Sequence, residues 1–180
     1  MDRSASRTEQ PIQEPNVEEV TWRVEAVLAG ALGAFVVAFV FLLFDLAARR
    51  PFWTPFALGS ALFLGHTPAA GAAIDPVLVL GYTAVHALVF VTFGAGAAFQ
   101  VDTEAQPRTG LARAARIALL LFLGFEVAWL ALAVLFAPEL IGMLGVGRVA
   151  LANALAAAAM STLVCVRAAH GVGTRRMAPG

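Results

Sequence analysis

Residues 24–47 read VEAVLAGALGAFVVAFVFLLFDLA. Apart from Glu25 and Asp45 near its ends, the run is apolar throughout. About 20 mostly apolar residues suffice for a helix to cross the roughly 30 Å of hydrocarbon in a bilayer. A helix is the form such a run must take in lipid, because every backbone N–H and C=O has to find its partner inside the segment. Three further runs meet the same requirement, at residues 77–99, 116–136 and 149–166. The four together predict an all-α integral membrane protein built as a four-transmembrane-helix bundle.

Composition agrees with lipid as the solvent. The chain is 60% hydrophobic and 13% charged, whereas soluble domains are about half apolar and about a quarter charged. Its 12 basic residues, all Arg, balance 12 acidic ones, so no positive field recommends nucleic acid as a partner. Cys165 is the single cysteine. It has no internal disulfide partner, and its expected role is apolar packing.

Around the spans, the chain divides into a disordered cytoplasmic tail at 1–20, a four-span membrane domain at 21–170 and a second cytoplasmic tail at 171–180. The opening MDRSASRTEQPIQEPNVEEV lacks the basic start and apolar stretch of a secretory signal. Asn16 and Glu19 have capping-box spacing and mark the expected start of the first helix. Nine Arg lie in the N-terminal tail, the second loop and the C-terminal end, against three in the first and third loops. The positive-inside rule therefore expects both termini in the cytoplasm. In build the chain resembles the small four-span proteins of bacterial inner membranes, and that membrane is the expected location.

The first, outer loop carries Thr54-Pro55, Thr67-Pro68 and Asp75-Pro76, each an N-cap/N1 signature. The first predicts a helix from Pro55 to the Gly65 stop. It is too short to span and too apolar to stand in water, hence a short interfacial or re-entrant helix. The Gly-rich PELIGMLGVG after Ala137 is expected to be loop.

Helices in lipid associate through small residues. Ala26, Gly30, Ala34 and Ala38 form such a stripe on the first span, opposite Phe35, Phe39, Phe41 and Phe44. Gly94 and Ala98 have the same spacing on the second, and the fourth span is small on nearly every face.

His86 and Glu126 are the candidate site. Both fall near mid-membrane, and at about 1.5 Å per residue they lie within roughly 2 Å of one depth. An ionisable group there is a functional hypothesis by default. The expectation is a hydrogen-bonded buried pair, with interhelical register as its bland role and a proton relay as its sharper one. Tyr82 and Phe93 are expected to share the His86 face and to border a pocket for a flat ring such as haem or quinone. A bis-His haem lacks a second histidine at depth, since His66 lies in the outer loop and His170 beyond the fourth span.

Asp45 is expected to meet Arg49 at helical spacing, and Asn153 to bond across helices. Asp45, His66 and Asp75 do not have a recognised metal spacing, and no cofactor, metal or catalytic residue is expected. The functional expectation is a non-catalytic accessory or assembly partner of another membrane protein. Its surroundings would be the lipid bilayer and either that partner or further copies of the chain as a homo-oligomer. The alternatives are a small oligomeric transporter or channel using His86 and Glu126, or a haem- or quinone-binding electron-transfer subunit.

Overall fold

The computed structural model describes residues 17–103, 110–136 and 138–176, and the expected Asn16 cap, most of the first tail and the end of the second lie outside them. Six helices run in order: α1 (Val17–Ala47), α2 (Trp53–Leu64), α3 (Pro76–Thr103), α4 (Gly110–Phe136), α5 (Glu139–Leu144) and α6 (Val146–Arg176). Among the described residues no strand occurs. α1, α3, α4 and α6 are each long and apolar enough to cross a membrane, so the chain has the build of a multi-pass membrane protein. Large apolar side chains such as Leu80, Val127 and Leu135 stand on the outside of the bundle. An apolar surface that extensive is stable in lipid and not in water.

The helices overrun the apolar stretches that predict them. α1 begins at Val17 and α6 continues to Arg176, so residues 17–20 and 171–176, expected in the tails, are helical. α4 starts at Gly110 rather than at Arg116. Arg113 and Arg116 are accommodated because a long stem can follow an apolar surface while its head stays polar. Residues 139–144 form α5 where loop was expected, since Leu140 and Leu144, one turn apart, are buried in the core. Their burial outweighs the low helix propensity of Gly142.

Packing starts from α1. Its Ala26/Gly30/Ala34 stripe lies against an antiparallel α3, and two glycines let the backbones meet. A Cβ on Gly30 would come within 2.7 Å of the Phe90 carbonyl oxygen and the Val91 nitrogen. One on Gly94 would come within 2.7 Å of the Gly30 nitrogen. Ala38 departs from the expected stripe and is exposed, whereas Phe41, expected on the face opposite that stripe, is 9% exposed and belongs to the core.

α6 packs on α1 and α4 and is the most enclosed span. Its Ala152, Ala156, Ala157, Met160 and Val164 are buried. Gly33 leaves the notch for Met160 and for the Phe90 ring. Toward the opposite end of the bundle from α2, Arg167 approaches Glu25 at 3.8 Å and ties α6 to α1.

The α1–α2 connection is a tight helix end. Arg49 N–H donates to Leu46 O at 2.9 Å, and Arg50 N–H to Asp45 O at 2.8 Å. These are the two bonds of a Schellman cap, with Arg49 in the left-handed region at φ 57°. α3 opens as its sequence predicts, with Asp75 Oδ1 accepting the Val77 N–H at 2.8 Å and Pro76 as first residue. Thr67-Pro68 opens no helix.

Gly94→Ala should drive α1 and α3 apart, because the obstacle is backbone and cannot turn aside. A loss of about 1–3 kcal/mol is expected, read by SDS titration in mixed micelles. Gly96→Ala, where a Cβ meets nothing within 4 Å, should leave the transition unchanged or raise it slightly. Equal losses in the two variants would refute the close-approach account.

Candidate functional site

Because α3 is committed to α1, it meets α4 far less extensively. The two touch where Phe125 of α4 lies between Phe90 and Phe93 of α3, with ring centroids 4.7 and 4.8 Å apart. A Cβ on Gly124 would fall 2.7 Å from the edge of Phe93, so this glycine seats that ring. Toward the α2 end lies a cleft of about 550 Å³, lined from α1, α2, α3, α4 and α6. Exposed Phe39 and Leu80 stand among its lining residues, which leaves it open to the hydrocarbon surrounding the bundle.

One wall of the cleft is a ladder of rings. Tyr82, His86 and Phe90 follow one another at four-residue spacing on α3, with centroids 5.5 and 4.7 Å apart. Phe125 continues the ladder from α4. Aromatic pairs at such separations are worth roughly 0.5–1.5 kcal/mol beyond their buried area. Tyr82 and Phe93 do line the cleft with His86. Phe90 was missed as a site residue, although its position four residues after His86 puts it on the same face.

His86 and Glu126 have different partners from those expected. The Nε2–H of His86 donates to the Ala34 carbonyl of α1 at 3.3 Å, and its Nδ1 accepts from the Tyr82 hydroxyl at 3.4 Å. A single neutral tautomer satisfies both contacts. Glu126 Oε1 instead accepts from Asn153 Nδ2 of α6 at 3.0 Å. No hydrogen bond joins His86 to Glu126 among the described residues. Matched depth does not create a pair when α3 leans on α1 and α4 leans on α6.

Asp45 also departs from expectation. It is 5% exposed, and Arg49 is not its partner. Its Oδ2 accepts the Thr54 N–H at 2.8 Å and its Oδ1 the Thr54 hydroxyl at 2.7 Å. A carboxylate of α1 thus caps the N-terminus of α2, where both the orphan amide and the helix dipole favour negative charge. The Thr54-Pro55 signature had suggested that Thr54 would be the cap; instead α2 starts at Trp53, and Thr54 donates to the cap. Arg50 is left to lie over the Trp53 ring, 3.4 Å from its centroid.

The remaining polar side chains on the cleft are sparse. Trp129 and Asn153 line it from α4 and α6, and among the described residues no arginine does. Among the described residues the Trp129 indole N–H meets no acceptor. No group of three His, Cys, Asp or Glu suited to a metal ion is found among the described residues.

Double-mutant cycles distinguish the observed partners from the expected ones. Losses from His86→Leu and Glu126→Leu should add to within about 0.5 kcal/mol in SDS titration, as for independent sites. Glu126→Leu and Asn153→Leu should fall short of additive, because each removes the same bond. Coupling between His86 and Glu126 instead would overturn the assignment.

No protein-family model, curated protein or solved structure matches the chain.

Proposed function

We propose that the chain is a non-catalytic accessory protein of the bacterial inner membrane, and that it contributes a binding cleft for an apolar molecule drawn from the bilayer. The carrying observation is the cleft itself. Its roughly 550 Å³ falls within the range of about 300–1,000 Å³ typical of ligand pockets. Its walls are aromatic and aliphatic, with a few polar groups at defined places. The stripes that recommended docking of another protein are largely spent within the bundle, Ala26, Gly30 and Ala34 on α3 and Gly94 on α1. The pair that motivated the transport reading is not joined here, since His86 bonds to Ala34 and Glu126 to Asn153.

The burial of α2 supports a re-entrant placement. Phe56, Ala57, Leu58, Gly59, Ser60 and Ala61 are all buried, and a Cβ on Gly59 would sit 3.2 Å from that of Leu78 on α3. A helix lying flat among headgroups would bury one face and present the other. The distribution of arginines supports cytoplasmic termini, and with them an outer-half position for α2 and the cleft.

Purification in mild detergent, organic extraction and mass spectrometry test the binding reading. One apolar compound should accompany the chain near one-to-one, and Ala128→Phe, which fills the lining, should lose it while melting normally. Identical bulk lipid in both preparations would refute binding. For orientation, Cys165→Ser with Ala70→Cys in the α2–α3 loop should react with an impermeant maleimide on intact spheroplasts. Labelling only after lysis would invert the topology.

A further inference from the structure

We infer that the cleft recognises a neutral lipid whose head is a carbonyl-bearing ring, a molecule of the isoprenoid-quinone class; this rests on the binding reading above and adds the chemistry of the head. The wall favours a flat head. Tyr82, His86, Phe90 and Phe125 present a continuous ladder of rings, against which a planar group gains stacking that a saturated chain does not.

The polar inventory sets the charge and polarity of that head. A cation would need a carboxylate, yet both oxygens of Asp45 are taken by Thr54, and Glu126 lies outside the lining and holds Asn153. An anion would need a charged basic side chain; among the described residues no arginine lines the cleft, and the contacts of His86 are those of a neutral ring. What remains is neutral: the Trp129 indole N–H, without an acceptor among the described residues, and the Asn153 amide, whose second N–H and Oδ1 are both left over from its bond to Glu126. The Tyr82 hydroxyl, held to His86 at a long 3.4 Å, can be turned to a better acceptor at little cost.

An indole N–H without an acceptor, beside a neutral amide, calls for a ligand that brings a neutral oxygen, as a ring carbonyl does. The Nε2 of His86 is not offered to a haem iron, since it is committed to the Ala34 carbonyl. The lateral opening beside Phe39 and Leu80 leaves an isoprenoid tail in the bilayer.

Trp22, Trp53 and Trp129 are the three tryptophans, so Trp22→Phe with Trp53→Phe leaves Trp129 as the sole reporter. In quinone-free phosphatidylcholine nanodiscs, decylubiquinone should quench its fluorescence saturably and by more than half. Ala128→Phe should remove the saturable component. Decylbenzene, with ring and tail but no carbonyl, should compete at least tenfold more weakly. Equal competition by decylbenzene overturns carbonyl recognition while leaving apolar binding intact. Linear, collisional quenching that Ala128→Phe does not change overturns the inference outright, and the extraction experiment then decides separately whether another apolar molecule occupies the cleft.

Discussion

The backbone contact between α1 and α3 at Gly30 and Gly94 sets the rest of the structure. In lipid no hydrophobic gain draws helices together, so the pair that can approach most closely takes precedence. With Gly30 against Phe90 and Val91, and Gly94 against Ala26 and Gly30, α3 is fixed along α1. α4 is fixed in turn along the small-residue face of α6. The α3–α4 seam receives what is left, a single aromatic joint at Phe90, Phe93 and Phe125. Beyond the joint the two helices are free to part, and the cleft lies there. The same contact brings the Ala34 carbonyl opposite His86, so the histidine's partner is chosen by the glycines and not by the nearest charge.

Three polar side chains of the long helices are met by a partner across a helix boundary: His86 by α1, Glu126 by α6, Asp45 by α2. The last is the most consequential. A carboxylate at 5% exposure is tolerable because two short bonds from Thr54 and the positive end of a helix answer it together. That cap holds the start of α2 against the end of α1, where it forms one boundary of the cleft. The Schellman bonds at Arg49 and Arg50 then turn the chain sharply enough for the carboxylate to reach.

Much of this is legible in the residues. The four spans follow from hydrophobic length alone, and the close-packed face of α1 from its small-residue period, with Ala38 as the departure. The opening of α3 follows from Asp75-Pro76. The partners of the polar residues were not legible, for a physical reason. Depth along the membrane is a one-dimensional coordinate, and His86 and Glu126 share it. Contact also requires the rotation of each helix and the identity of its neighbour, which depend on how Gly30, Gly33, Gly94 and Gly124 seat opposing atoms. Asp45 misled for a related reason: the i+4 rule assumes that the helix continues, whereas α1 ends at Ala47 and Arg49 is already left-handed. Phe90 could have been found by extending the Tyr82–His86 spacing one further turn.

A cleft of this size has a different meaning in lipid than in water. An enclosed void of about 550 Å³ in a soluble core would cost on the order of 13 kcal/mol at the roughly 24 cal/mol per Å³ measured in T4 lysozyme, as much as a whole domain's stability. An opening onto the bilayer avoids that cost, because an acyl chain can enter and restore dispersion contacts. It follows that apolar area cannot confer selectivity here: lipid tails are present in vast excess and match the aliphatic walls as well as any ligand would. A ligand displaces them only through interactions that a tail lacks. In this cleft those are ring faces at Tyr82, His86, Phe90 and Phe125, and the donors of Trp129 and Asn153. Selectivity of the proposed site would therefore reside in the few features that a hydrocarbon leaves unused.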